Sequence, residues 1–257
     1  MITQKQTWSV IVFCYNEAET VRKVVLHTRE VLEKIASTYE IVIVDDGSDD
    51  GSRKVVEQLS KEVDFVRAVI HETNLGIGKA LRSGYDNVQY ENVCAVPADG
   101  QFDVEELLVH EHIPANTFIS FYRKENTTYT LARNALSYFN RKLNLFINGF
   151  DLKDVNWVKV YKNQNMKQIC PYEIESSLIE SEICAKLLRS GCKVNEVKSK
   201  YLPREAGVSK GASWKIVRQA MKDTLFLTVV LWKFRKKSRV IKKLIIQTNK
   251  QSVYLPI

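Results

Sequence analysis

Three short polar clusters hold the residue types able to do chemistry in this chain of 257 residues: Tyr15-Asn16-Glu17, the run Asp45-Asp46-Gly47-Ser48-Asp49-Asp50-Gly51, and Pro97-Ala98-Asp99-Gly100-Gln101-Phe102. Each follows an apolar, β-branched stretch. Carboxylates at such places can accept hydrogen bonds from a uracil or guanine ring and its ribose, and one beside a diphosphate can hold a hard divalent cation that shields phosphate charge. Asp, Asn, Ser and Gly also make turns without any ligand. A single cluster would leave that plain reading as good as the other; three at the ends of separate apolar runs favour a ligand site.

For the clusters to meet, the elements before them must run side by side. Ser9 to Tyr15 is nearly all apolar, the pattern of a strand covered on both faces in a parallel sheet. Asn16 then offers an N-cap, with Glu19 as capping-box partner, to a helix running to about Ala36 on the stripe Val21, Val24, Val25, Thr28, Val31, Leu32 and Ile35. The alternation repeats: Ile41 to Val44 is a strand, Val55, Val56 and Leu59 mark a helix, Phe65 to Ile70 is a strand, Lys79 to Tyr85 is helical, and Asn92 to Val96 is a strand. Repeated βα units imply parallel strands with right-handed crossovers, and ligands bind beyond the carboxyl ends of such strands.

After Gln101 the pattern becomes mixed. A helix from Val104 is capped by Asp103 and Glu106, a strand lies near Phe118 to Phe121, and Leu136, Phe139, Leu143 and Ile147 mark a helix. Asp154 to Tyr161 alternates like a strand, Ile179, Ile183 and Leu187 make a helical stripe ended by Gly191, and Lys193 to Tyr201 returns to strand. There is no internal repeat or low-complexity linker. Residues 1–211 read as one α/β catalytic domain, with a nucleotide-binding half over about 1–102 and an acceptor half over about 103–211. Residues 212–257 form a basic, amphipathic helical tail on Trp214, Val217, Met221, Leu225, Val229 and Trp232.

Charged residues make up 26% of the chain and hydrophobic ones 45%, which excludes a disordered or fibrous protein. Much of the net charge of +8 lies late, in Trp232-Lys233-Phe234-Arg235-Lys236-Lys237-Ser238-Arg239 and Lys242-Lys243, and points to phosphate-bearing partners. With no zinc-finger spacing, helix-turn-helix reading or aromatic RNA-binding signature, nucleic acid is set aside for an anionic membrane surface or a phosphorylated ligand. The tail could lie in the headgroup region of such a membrane; packing on the catalytic domain, or a homodimer interface, is the competing use.

The five cysteines, Cys14, Cys94, Cys170, Cys184 and Cys192, lack CxxC spacing and read as reduced thiols. Met1 to Gln6 lacks a signal-peptide core, and no apolar run approaches the ~20 residues that span a bilayer. A cytoplasmic protein, peripheral on the inner face of the membrane, is expected. His27, His71, His110 and His112 show no metal-site spacing, and Gly76-Ile77-Gly78 lacks the third glycine of a dinucleotide fingerprint.

Taken in order, Val12-Phe13-Cys14-Tyr15-Asn16-Glu17, Ile43-Val44-Asp45-Asp46-Gly47-Ser48, Asn74-Leu75-Gly76-Ile77-Gly78 and Ala98-Asp99-Gly100-Gln101 resemble the family-2 glycosyltransferases. Within that family the chain looks most like the polyprenyl-phosphate, dolichyl-phosphate mannose synthase-like branch. Asp154-Val155-Asn156-Trp157-Val158-Lys159-Val160-Tyr161 and Arg204-Glu205-Ala206-Gly207-Val208-Ser209-Lys210 resemble that branch's downstream strand and basic loop. The resemblance covers about Ser9 to Lys210. It implies the GT-A fold, a mostly parallel central sheet flanked by helices, and transfer of a hexose from a UDP- or GDP-sugar to a membrane-linked acceptor.

The same resemblance implies that the backbone near Cys14 and Tyr15, with Glu17 and Asp45, holds the nucleoside, while Asp46 braces the loop. Asp99 and Gln101 would approach a Mg²⁺ or Mn²⁺ ion and the diphosphate. Arg204, Ser209 and Lys210 would neutralise the donor diphosphate, and Arg123 and Arg133 would face the acceptor phosphate, guanidinium forks suiting phosphate oxygens. The family usually has an acidic residue two positions before Asp99, where this chain has Pro97. Proline cannot coordinate a cation, so weaker metal binding is expected, and a nucleotide-sugar binding relative without turnover is the alternative that Pro97 motivates.

The need for a general base depends on the acceptor. A sugar hydroxyl, as in surface polysaccharide synthesis, would need a carboxylate, for which Asp154 and Glu182 are the candidates, with surface placement the expectation for Glu182. A lipid phosphate is already largely anionic at neutral pH and needs none. One attack without a covalent intermediate inverts the anomeric centre.

Overall fold

The computed structural model describes residues 5–123, 145, 149–204 and 214–253. Their sheet has seven strands: β1 (Thr7–Cys14), β2 (Thr38–Asp45), β3 (Val66–Ile70), β4 (Asn92–Pro97), β5 (Thr117–Arg123), β6 (Lys159–Lys162) and β7 (Lys193–Ser199), in the order β3-β2-β1-β4-β6-β5-β7. β1 pairs in parallel with β2 on one side and β4 on the other, and β2 with β3. β6 is antiparallel to both β4 and β5, while β5 and β7 are parallel. β1 to β4 therefore form the parallel βα array that their apolar runs predict, and the sheet beyond β4 is mixed.

Strand alternation explains why the sheet is covered on both faces. Ile11, Val42 and Val44 point into the layer of α3 (Ile77–Asp86) and α5 (Ile179–Arg189), while Val10, Val12, Ile41 and Ile43 point into the layer of α1 (Val21–Ile35) and α2 (Ser52–Glu62). The stripe expected for α1 is buried from Val21 to Ile35. Its expected cap is not formed: Thr20 is the residue before the helix, and Asn16, at φ +57°, instead donates from Nδ2 to Asp49 (2.7 Å) and accepts from the Asp49 N–H (3.0 Å). A better partner on the neighbouring loop draws Asn16 away from the helix start.

Other boundaries move for local reasons. Val104–His110 is a 3-10 helix whose cap Asp103 accepts from Glu105 N (3.1 Å), but Glu106 turns outward to accept from Lys200 N (2.6 Å). The strand expected from Asp154 begins only at Lys159. The buried Lys159 ammonium donates to the carbonyls of Val155 (2.7 Å) and Trp157 (2.8 Å), which curls that segment out of the sheet. The helix expected over Leu136 to Ile147 lies outside the described residues.

α4 (Asn163–Ile169) precedes α5, and the tail is the 40-residue α6 (Trp214–Val253). One side of α6 belongs to the core: Leu227, Leu231, Phe234, Ile241 and Ile245 are buried, and the helix packs against α5. No described helix is long and apolar enough to cross a membrane. All five cysteines are free thiols.

Candidate functional site

The sheet order reverses between β1 and β4, so the loops leaving these strands part and open a crevice at their carboxyl ends. Register fixes what meets there. Cys14 is paired with Asp45 and Phe13 with Pro97, and the ladder continues one step through Asp46 N to Cys14 O (2.9 Å) and Ala98 N to Phe13 O (3.1 Å). Glu17, Asp46 and Asp99 thus lie along one rim, with Asp45 beneath it.

Much of the second cluster shapes that rim. Ser48 Oγ accepts from Asn16 N (2.9 Å), Ser52 Oγ from Glu17 N (2.8 Å), and Asp50 from Ala18 N (3.1 Å). These three bonds set the turn after β1 and aim Glu17 inward. For Ser48, Asp49 and Asp50 the turn reading is the one the fold supports.

The two adjacent aspartates have different surroundings. Asp46 accepts from Leu75 N (3.0 Å) and Gly76 N (2.8 Å), and its Oδ1 lies 2.7 Å from Nδ1 of buried His71, whose Nε2 is 2.9 Å from Ser83 Oγ. It fastens the loop before α3 to the end of β2. Asp45 is fully buried beneath the rim, accepting from Ser48 N (3.3 Å) with Arg53 Nε 3.6 Å away; its Oδ1 has no hydrogen-bond partner among the described residues.

A cavity of about 830 Å³ occupies the crevice. Its walls include Cys14, Tyr15, Glu17, Asp46, Pro97 and Asp99, and on the far side Glu175 to Ser177 and Asp223. Arg204 reaches in from the segment after β7, pairing with Glu17 and standing 3.9 Å from Asp99 Oδ2. That segment is held by Leu202 N donating to Gln101 O (3.0 Å) and by Gln101 Nε2 donating to the Tyr201 hydroxyl (2.6 Å). Burial raises the Asp99 carboxyl above its ordinary range, opposed by the Gln101 N–H and Arg204; burial likewise raises Glu17, with Arg204 opposing.

A second cavity of about 220 Å³ adjoins the first, sharing Phe13, Ile77, Pro97, Asp99 and Ser177 as walls. Arg123 stands at it, its guanidinium 4.5 Å from the Trp157 ring centroid and gripped by Asp154 through Nε to Oδ2 (2.7 Å) and Nη2 to Oδ1 (3.2 Å). Buried Glu180 also lines it and accepts from the hydroxyls of Tyr85 and Tyr161.

Arg133, Ser209 and Lys210 lie outside the described residues. Glu182 corrects an expectation: it is fully buried, not on the surface, paired with Lys186 (2.6 Å) and accepting from the N–H groups of Glu173 and Ile174. Its place on the inner side of α5, one turn before Lys186, keeps it in the core. The walls Glu175 to Ser177, Glu180 and Asp223, and the buried His71 behind Asp46, were not legible in the sequence, because only packing brings them to the site.

Among the described residues no group of three His, Cys, Asp or Glu side chains is placed to hold a metal ion. Asp99 is one carboxylate facing the large cavity, with Oδ1 already accepting from Gln101 N (3.0 Å). A hard cation is commonly held by one or two carboxylates with phosphate oxygens and water supplying the rest. The donor set fits a cation that arrives with a diphosphate, and does not form a cage of its own.

Undecaprenyl-phosphate 4-deoxy-4-formamido-L-arabinose transferases of Salmonella choleraesuis and Proteus mirabilis are 29% and 32% identical over 100 residues, which is 38% of this chain and 31% of theirs. The matched stretch thus spans under a third of the length of these relatives. Glucosyl-3-phosphoglycerate synthase of Mycobacterium tuberculosis, solved with Mn²⁺, UDP and glucosyl-3-phosphoglycerate, superposes with a TM-score of 0.62 at 14% identity, covering 87% of this chain and 80% of that one, and so shares the GT-A fold. The profile of glycosyl transferase family 2 matches residues 9–158, from β1 through the last residue before β6, so more than half of the chain carries that family's pattern and the chain belongs to glycosyl transferase family 2.

Proposed function

We propose that the chain moves a hexose from a UDP- or GDP-sugar to polyprenyl phosphate in one inverting displacement. The observation that carries this reading is the large cavity where β1 and β4 part, with Glu17, Asp46 and Asp99 on its walls and Arg204 reaching between two of them. The relatives that act on undecaprenyl phosphate support the acceptor, and the UDP and Mn²⁺ in the structural neighbour support the donor and the cation.

In this reading the backbone at Cys14 and Tyr15, with Glu17, holds the nucleoside, Asp45 supports the rim from beneath without lining the cavity, and Asp46 keeps the Leu75–Gly76 loop in place. Asp99, with Gln101 beside it, faces the diphosphate. Asp99 would hold a divalent cation there together with the diphosphate oxygens, and such a cation would supply positive charge against the leaving group. Arg204, with Ser209 and Lys210, adds positive charge at the same place. The sugar extends into the smaller cavity, and Arg123, joined by Arg133, meets the acceptor phosphate.

The environment of Asp154 favours phosphate over a hydroxyl acceptor. Both of its oxygens hold the Arg123 fork, an arrangement that positions a guanidinium rather than taking a proton. Glu182, buried against Lys186, lines neither described cavity. A phosphate nucleophile needs no base.

The test is transfer of radiolabelled sugar from UDP- and GDP-sugars to polyprenyl phosphate with Mn²⁺. An acid-labile lipid product is expected, reduced at least about a hundredfold by Asp99→Asn. An acid-stable product would favour a hydroxyl acceptor. Nucleotide binding by calorimetry without any transfer would support the binding-only reading that Pro97 motivates.

A further inference from the structure

Helix α6 has two apolar sides, and the fold uses one. While Leu227, Val230, Leu231, Phe234 and Ile241 are buried, Leu225 (65% exposed), Phe226, Val229, Trp232 (71% exposed), Val240 and Leu244 face outward. Their spacing of three and four residues places them along one strip of the helix surface. Single exposed apolar residues are ordinary, but an indole and a row of aliphatic side chains on one helix face mark an interaction surface.

The charge on the same face names the partner. From Thr224 to the end of the chain there is no Asp or Glu, whereas Lys233, Arg235, Lys236, Lys237, Arg239 and Lys243 are all exposed. At ~100° per residue Lys233, Lys236 and Lys243 fall in the same sector as Val229, Trp232 and Val240. A second copy of this face would oppose like charges at every turn. Nucleic acid would satisfy the lysines but leave Leu225, Val229, Val240 and Leu244 without an apolar phase. An anionic bilayer supplies both, acyl chains for the apolar strip and phosphates for the cations.

We propose that α6 lies flat on an anionic membrane surface, with Leu225, Val229 and Trp232 at the acyl boundary and Lys233, Lys236 and Lys243 among the headgroup phosphates. The helix is already packed against α5 by its other side, so binding orders no new segment and brings the folded molecule down in one orientation. Asp223, two residues before Leu225, lines the large cavity, so one end of α6 walls that cavity while its outward face meets the headgroups. The proposal requires neither the donor nor the acceptor discussed above.

It is tested by co-sedimentation of the full chain with vesicles of phosphatidylcholine, or of phosphatidylcholine with a minority of phosphatidylglycerol, with no nucleotide or sugar present. Binding to the anionic vesicles alone, weakened by salt, is expected. Leu225→Ser with Trp232→Ser, and separately Lys233→Glu with Lys236→Glu, should each lower partitioning at least about tenfold while thermal melts show the fold intact. Equal binding to both vesicle types, no binding by the wild-type chain, or binding unchanged in both folded variants would overturn the proposal. So would a wild-type dimer that the Trp232 variant dissolves, or preferential capture by an oligonucleotide competitor. Because sugar transfer is not measured, failure of the transfer reading leaves this test untouched.

Discussion

At the scale of single residues, Asp99 and Glu17 share one cavity and one guanidinium. Burial raises both carboxyls, and Arg204 offsets only part of that. A carboxyl raised in the folded state keeps its proton where the unfolded chain has lost it. Its contribution to stability is therefore full below the ordinary value of about 4 and is lost as pH rises through the folded value. The ligand-free protein should melt lower as pH rises through that window. A cation bound with a diphosphate favours the ionised carboxylates and should release protons there, whereas the diphosphate alone should take them up. Calorimetry of UDP with and without Mn²⁺, in buffers of different ionisation enthalpy, reads that sign; proton release that persists unchanged in Asp99→Asn would place the cation elsewhere.

At the scale of elements, the site depends on close approaches that the helices make for their own packing. α3 starts against the segment before α5 so tightly that a Cβ on Gly78 would lie 2.3 Å from the carbonyl oxygens of Glu175 and Ser176. Backbone cannot yield as a side chain can. Gly78→Ala should lower stability by roughly 1–3 kcal/mol in denaturant titrations and weaken nucleotide binding, since both segments wall the cavity. Glu182 works within the neighbouring element, fastening the turn at Glu173 and Ile174 to α5. Glu182→Ala strands the buried Lys186 ammonium and should cost about 3–5 kcal/mol, with nucleotide affinity of the folded fraction unchanged. A selective loss of transfer with stability intact would return Glu182 to the list of bases.

At the scale of the whole molecule, the chain after β7 closes the core as well as extending from it. Phe234 and Ile245 of α6 are buried with Ile11 of β1 and Ile183 of α5 in one cluster. Deleting residues 212–257 should therefore expose a broad apolar surface and give an aggregating or molten product by gel filtration and near-UV circular dichroism. A soluble, cooperatively folding truncation would show that α6 is dispensable to the core. The outward strip is separable from this role, which is why surface substitutions rather than truncation probe the membrane.

The array from β1 to β4 was legible because its strands are short, mostly apolar runs, three of them ended by a polar cluster, and a parallel array places such ends along one edge. Glu17, Asp46 and Asp99 followed from that. The strand expected from Asp154 and the cap expected at Asn16 fail for different reasons: the Lys159 ammonium gathers the carbonyls of Val155 and Trp157, its near neighbours in sequence, whereas Asn16 is drawn away by Asp49 on another loop. Only the tertiary structure decided which side of α6 the core takes, that Glu182 is buried, and that Glu175, Glu180 and Asp223 join the site. Periodicity records that a helix has an apolar face, but a helix apolar on two sides leaves the choice to whatever it packs against.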